Sequence, residues 1–352
     1  MLEAIEYLEK DDGILVCRCY GEGAHLSLPE RIADKPVTAL ADHVFAREPS
    51  FALRGTPKKM ALAPDGISFV PAKGDGSIKD SQNRSPDEKA IAAESIERID
   101  LPCTLRRIGN YAFYGCRNLK TVTLGAALEE LGGGAFVASN RVRELLFVTE
   151  TEHPSVPAIR LVLAEISYEV EVCVLDSRGR ERYRLHFPEF YEDAVENTPA
   201  RIFEMKFEGT GYKYRQCFKD GQPDLARYDS LFYEASVQEF PPTVFQMCCD
   251  RLLWPIQLEK GPKEKYLQYL KKNIGRFASW CMEEGPGAGA FSGPDALQIM
   301  QYLCDEQFWD RETLQVCHDM AIDRNRADIV SLLQDYRRKH FTVSRVADRY
   351  SF

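Results

Sequence analysis

The sequence has no uninterrupted apolar stretch of membrane-spanning length. Its opening residues, MLEAIEYLEK, are acidic and lack the apolar core of a secretion signal. A cytoplasmic chain with no membrane contact is the expectation, and a secreted surface adhesin whose signal peptide has been removed is an alternative. Positive charge is also short: 45 Lys and Arg face 54 Asp and Glu, for a formal net charge of −9. No basic run is interleaved with aromatics, so nucleic acid is not an expected partner. The six histidines (His25, His43, His153, His186, His318 and His340) are dispersed, and no Ser-His-Asp or Cys-His spacing can be read among them. Neither a P-loop nor a dinucleotide fingerprint is present. The eleven cysteines are odd in number and irregular in position. The close pairs Cys17-x-Cys19 and Cys248-Cys249 are halves of no recognisable zinc site. Reduced thiols acting as small core hydrophobes are expected, with no metal and no cofactor.

What is present is a repeat. Ile96, Leu119 and Val142 stand 23 residues apart, as do Leu101, Leu124 and Phe147. Leu105 with Leu128, Ile108 with Leu131, Ala112 with Ala135, and Phe113 with Phe136 keep the same interval. A period of this length marks a leucine-rich solenoid, whose units bury their apolar faces only against one another. Within a unit, Val122 and Leu124 point to one side of a short strand while Lys120, Thr121 and Thr123 point mostly to the other. Gly109 permits a bend, Ala112 allows close packing, and Phe113 and Phe136 are expected to stack between coils.

The stretch Leu101-Pro102-Cys103-Thr104-Leu105-Arg106-Arg107-Ile108-Gly109-Asn110-Tyr111-Ala112-Phe113-Tyr114-Gly115-Cys116-Arg117-Asn118-Leu119 resembles the unit of the BspA-like bacterial leucine-rich repeats. The next unit departs from it, with Gly125 for the proline, Leu131 for the isoleucine and Ser139 for Cys116. Val37, Leu40 and Phe45 match Leu105, Ile108 and Phe113, with a longer turn after Pro29. The resemblance spans residues 11–148 at most, with a gap. It implies a parallel-strand solenoid and a binding role, and it carries no catalytic residues.

With 352 residues, 44% hydrophobic and 28% charged, the chain is long enough for two or three domains. Residues 1–150 are read as the solenoid, interrupted at 46–95 by an insertion expected to be mobile because 71–95 are poor in apolar residues. Residues 151–240 are read as a β-rich connector. Its alternation over 166–187 predicts a β-hairpin that caps the solenoid, followed by a short acidic helix over 189–196. Residues 241–345 show helical periodicity in five segments. There Ala321–Leu333 is loosely similar to the inner turn of an ankyrin helix pair, without the ankyrin period or signature. The fold class is therefore α+β: a short leucine-rich repeat solenoid of parallel strands with a β-hairpin cap, then an α-helical repeat-like domain.

Three groups of residues are candidates for function. The outward columns of the solenoid hold Glu97, Lys120 and Arg143; Arg98, Thr121 and Glu144; and Asp100, Thr123 and Leu146. They form either a binding face or cross-strand pairs that serve solubility. In Gly209–Phe218, paired glycines with Lys213 and Arg215 offer an anion site, or else a turn leading into an amphipathic strand. Glu189, Glu192, Asp193 and Glu196 would share a helical face as a carboxylate cluster, or simply be solvated. The leading expectation is a non-enzymatic interaction or scaffold protein with a protein partner. A small-ligand or catalytic site near Glu189 to Arg215, between the connector and the helices, is the alternative.

Overall fold

In the computed structural model the described residues are 2–46, 57–62, 69–71, 90–91, 93–150, 156–197, 202–283 and 295–341. The chain divides into two compact units, Met1–Asp224 and Leu225–Phe352.

The first unit is built on two sheets. In chain order its strands are β1 (Leu2–Lys10), β2 (Gly13–Gly21), β3 (His25–Ser27), β4 (Arg31–Ile32), β5 (Lys35–Leu40), β6 (Lys58–Leu62), β7 (Phe69–Pro71), β8 (Arg98–Asp100), β9 (Arg107–Ile108), β10 (Thr121–Gly125), β11 (Glu130–Leu131) and β12 (Glu144–Thr149). After helix α1 (Ala158–Leu163) come β13 (Val170–Asp176), β14 (Glu181–Phe187), β15 (Tyr191–Asn197) and β16 (Ile202–Glu208). Helix α2 (Gly211–Tyr214) and the short pair β17 (Phe218–Lys219) and β18 (Gln222–Pro223) end the unit. One sheet runs β11-β9-β5-β2-β1-β6-β7 and the other β14-β13-β12-β10-β8-β3.

The 23-residue period appears directly in the strand register. Thr121 pairs with Arg98, and Glu144 with Thr121, in parallel along one sheet. Glu130 pairs with Arg107 along the other. Each coil crosses between the sheets and so contributes one short strand to both. Ile99, Val122 and Leu145 point inward and are fully buried, as are Ile108 and Leu105 from the second sheet. Phe113 lies between Phe45 and Phe136, with ring centroids 5.4 and 4.9 Å away and planes within 17° and 16°. Offset stacks of this kind add about 0.5–1.5 kcal/mol per pair beyond the burial of the rings.

Residues 25–45 form the coil stacked directly on 98–113. His25, Leu26 and Ser27 pair with Arg98, Ile99 and Asp100, and Leu40 pairs with Ile108. The extra length of the first coil's turn is taken up by a hairpin in which β4 pairs with β5. The intervening insertion leaves this stacking intact. Part of it is ordered as strand: β6 lines the free edge of β1, and β7 pairs with β6. Met60 is buried there, and Lys58 reaches Glu9 at 2.6 Å. Both strands fall within the segment 46–95 read from the sequence as an insertion. Residues 47–56, 63–68, 72–89 and 92 lie outside the described residues.

At the other end β13 continues the parallel sheet against β12, and β14 folds back antiparallel on β13, giving the expected hairpin cap. Two local expectations fail nearby. The acidic run after Pro188 is strand β15, paired with β16 from Tyr191↔Glu208 to Asn197↔Ile202, and not a helix. Alternation in Ile202–Glu208 supplies a matching partner, which the acidic segment alone does not reveal. Conversely, the Gly211–Gln216 stretch opens as helix α2 instead of a strand.

Among the described residues the second unit is helical: α3 (Leu225–Ser230), α4 (Phe232–Gln238), α5 (Pro241–Leu253), α6 (Lys260–Lys272), α7 (Ile274–Glu283), α8 (Ala296–Asp305), α9 (Arg311–Asp323) and α10 (Ala327–Phe341). Helix starts at 225 and 232 precede the boundary expected at 241. Pro241 and Pro242 open α5, where their missing N–H groups cost nothing. Asp310 and Thr313 form a capping box at α9. Val244, Cys248, Tyr266, Phe277, Met300, Leu314 and Ile329 meet in one core. A buried ion pair crosses it. Asp229 accepts from Arg251 Nε and Nη2, both at 2.8 Å, and from the Tyr266 hydroxyl at 2.7 Å.

Candidate interaction surfaces of the solenoid

The outward columns read from the sequence are brought together as expected of neighbouring coils, and they bond to one another. Lys120 Nζ meets Glu97 at 2.8 Å. Asp100 accepts from the Thr123 hydroxyl at 2.5 Å, pairs with His25 at 2.6 Å and also meets Arg98. Burial would raise the Asp100 carboxyl, but the bonds from Thr123, His25 and Arg98 hold it below its ordinary value. Thr121 reaches Glu144 at 3.4 Å, and Arg143 lies over the Tyr168 ring with its guanidinium on the Asn140 and Val142 carbonyls. Glu144 is buried, as are its sheet neighbour Glu171 and Arg184. Arg184 binds Glu171 at 2.6 Å and also Glu181, with Glu144 at 3.9 Å. This geometry is a cross-strand ladder running into a buried charge cluster.

The second candidate is taken apart by the fold. Arg215 is buried and donates to four main-chain carbonyls: Ile166 at 2.8 Å, Pro188 at 2.6 Å, Gly211 at 3.1 Å and Tyr168 at 2.8 Å. Burial pushes its pKa down to about 9, which leaves it a cation at neutral pH. It ties the β13 approach to α2. Gly211 serves the same junction, since a Cβ there would lie 2.1 Å from the Pro188 carbonyl oxygen. Lys213 is exposed, and Glu192 lies exposed on β15 opposite Phe207. Glu189 accepts from the Tyr191 hydroxyl, which raises that phenol's pKa. The helical face that would have gathered Glu189, Glu192 and Glu196 does not form.

A surface not foreseen from the sequence lies where each coil turns from one sheet to the other. These turns begin after Asp100, Gly125 and Thr149, and close packing sets their shape. A Cβ on Gly125 would fall 2.6 Å from the Cys103 Cα. Small side chains, Cys103, Thr104, Ala126 and Ala127, make up part of the lining there, with Pro36 and Val148 beside them. They leave a trough of about 1130 Å³ that runs across the coils from Glu30 to Glu150 and Ser177. It crosses four inter-coil steps, roughly 19 Å at about 4.8 Å each, the length of about six extended residues. Arg106, Arg107, Glu129, Glu130 and Asp12 form its rims. Arg106 meets Glu129 at 3.4 Å and Arg107 meets Asp12 at 2.9 Å. The Glu30 carboxylate accepts from the backbone N–H groups of Cys103 at 2.7 Å and Thr104 at 3.3 Å. Burial, with Glu30 beside it, pushes the Cys103 thiol up to about 11. All eleven cysteines are free thiols.

The parallel pairing between coils in both sheets, the 23-residue register and the phenylalanine stack define a leucine-rich repeat solenoid. Residues 85–153 match the family model described as BspA type leucine rich repeat region (6 copies), and that stretch belongs to this repeat family. A leucine rich cell surface protein from Faecalibacterium prausnitzii is similar at 15% identity and TM-score 0.23, over 41% of this chain and 35% of its own. The chain thus spans about a third of that protein's length. A leucine rich repeat protein of T. pallidum is similar at 17% identity and TM-score 0.21, over 40% of this chain and 68% of its own. No curated protein matches the chain. No helix among the described residues is long and apolar enough to cross a membrane.

Proposed function

We propose that this chain is a non-enzymatic protein-interaction module that docks a partner polypeptide along the trough of its solenoid. The observation that carries this reading is the trough itself. It is an open channel some six residues long, built from one recurring turn of the repeat. A small-molecule site would be more enclosed. The outward columns from Glu97 to Glu144 are assigned to the stability of the sheet, because their charges already satisfy one another across strands. In the second unit we read α9 and α10, joined through Arg324 to Arg326, as an ankyrin-like pair offering a further binding element. Free thiols throughout fit a reducing, cytoplasmic setting.

Affinity capture on the full chain, wild type against Ala127→Trp, tests the proposal. Ala127 is exposed on the trough floor, so the indole fills the channel without disturbing the core. A protein partner retained by wild type and lost by Ala127→Trp is expected. A partner retained equally by both, or turnover of a metabolite with no protein retained, would sink the reading.

A further inference from the structure

Strands β15 and β16 form a sheet of two that joins neither sheet of the solenoid, and among the described residues no third strand pairs with either edge. Phe207 stacks on Tyr212 with ring centroids 3.9 Å apart, which fixes the base of this hairpin to α2. Beyond that anchor the hairpin stands in solvent. Tyr191 is 60% exposed, Met205 53% and Phe207 39%, and Glu192, Asp193, Ala194, Lys206 and Glu208 are exposed as well. Two strands alone are marginally stable in water, so a sheet with this much uncovered apolar surface gains from a third strand. The two edges differ in charge. β15 carries Glu192, Asp193 and Glu196 and no cation, so β15 laid on itself would set three carboxylates of each copy along one seam. β16 reads Ile-Phe-Glu-Met-Lys-Phe-Glu, with Met205 at its middle between Glu204 and Lys206.

We propose that the free edge of β16 is a self-association surface, on which β16 of a second copy of this chain pairs antiparallel about Met205. The product is one four-stranded sheet in the order β15-β16-β16-β15. Two identical antiparallel strands are related by a two-fold axis, so about Met205 position 204 of each copy faces 206 of the other, and 203 faces 207. Lys206 then stands opposite Glu204 of the second copy, twice by symmetry, and Phe207 opposite Phe203. Within each hairpin Asp193 already pairs in register with Lys206, and Ala194 with Met205. Residues alternate between faces along a strand, so the charged positions fall on one side of the sheet and the methionines and phenylalanines on the other. Other registers fit less well. One centred on Lys206 or Glu204 sets like charges together, and one centred on Phe207 needs Gly209 and the buried Thr210 as partners. A seam of seven residues a side is well below the roughly 20–30 of a standard interface, so the dimer is weak and forms with rising concentration.

Sedimentation velocity of the full chain over a range of concentrations should show monomer and dimer in exchange. Lys206→Glu, or Glu204→Lys, sets like charges together at two symmetric points and should weaken the dimer about tenfold or more at low salt. Glu204→Lys and Lys206→Glu in one chain exchange the two charges and should restore association to within about threefold of wild type. The two single variants mixed should associate with each other, although neither pairs with itself. Circular dichroism and the urea midpoint of each variant establish that it is folded. Met205→Cys should cross-link to itself under mild oxidant, because directly opposite Cα atoms lie about 4.5–5.5 Å apart, within reach of a disulfide. Ala194→Cys, on the far strand of each hairpin, should not. A wild type that stays monomeric at every concentration would overturn the proposal, as would association unchanged in both single variants. A double variant no better than the singles would overturn the pairing about Met205. Cross-linking at position 194 in place of 205 would move the contact to β15 and overturn the β16 seam.

Discussion

The stacking of residues 25–45 on 98–113 across a long insertion has a measurable energetic consequence. Phe45, Phe113 and Phe136 are at most 2% exposed, and only adjacent coils bring their rings together. Replacing any one by leucine removes part of a buried ring, at about 1–3 kcal/mol, between the cost of losing one methylene and that of truncation to alanine. The interaction between rings is separable from this loss. For Phe45→Leu with Phe113→Leu, the coupling in a double-mutant cycle should be about 0.5–1.5 kcal/mol, the surplus of a stacked pair over area burial. Phe113 with Phe136 should give a similar value. Phe45 with Phe136 share no stacked contact, because Phe113 lies between them, and should add to within about 0.5 kcal/mol. The assay is native-state hydrogen exchange at amides whose bonds cross the coils: Phe45 to the Ala112 carbonyl, Phe113 to Ala135, and Gly115 to Val137. This choice matters because all three tryptophans, Trp254, Trp280 and Trp309, lie beyond residue 224 and report on the other unit. A coupling for Phe45 and Phe113 no larger than that for Phe45 and Phe136 would refute the stacked coil.

Three further outcomes follow from named contacts. Gly109→Ala should destabilise the first unit by about 1–3 kcal/mol, because its Cβ would lie 2.4 Å from the Asp42 nitrogen. Gly133→Ala, whose nearest neighbour would be 3.9 Å away, should cost less than half as much by the same exchange assay. Asp229→Ala should cost the helical unit about 3–5 kcal/mol by leaving Arg251 buried without its carboxylate, and adding Arg251→Met should recover part of that in urea melts. The N–H of Thr313, then Lys271, hold the Asp310 carboxyl down at about 2 from 3.8. Its stabilising contribution is therefore complete above pH 3.8 and lost as pH falls toward about 2. Asp310→Ala should cost about 1 kcal/mol near neutrality, and urea midpoints of the two proteins should converge between pH 4 and pH 2.

Much of the solenoid was legible because its signal is a repetition. Phe113 and Phe136, or Glu97 and Lys120, are neighbours in space for the same reason that they are 23 residues apart in sequence. The match of Val37, Leu40 and Phe45 to the later unit held for this reason too. The strand β15 was not legible. Its alternation is carried by acids that fit either period, and only pairing with Ile202–Glu208 decides between strand and helix. Nor did the role of Arg215 show in its neighbours, since the carbonyls of Ile166, Tyr168 and Pro188 come from over two dozen residues upstream. The trough escaped notice because a concave surface made of small turn residues has no apolar pattern. Cys103, Ala126 and Ala127 matter there for the space they leave. Thr38 reaches the same surface from the other sheet.

The most direct test of the central claim, that the solenoid docks a partner through its trough and not through its outward sheet, is site-specific photo-crosslinking in the full chain. A photoreactive residue would be placed in turn at Ala127 in the trough and at Lys120 on the outward ladder. Docking in the trough predicts that one defined protein cross-links at Ala127, mapped to a single extended segment of that protein, and does not cross-link at Lys120. The same protein cross-linking at Lys120 and not at Ala127 would contradict it.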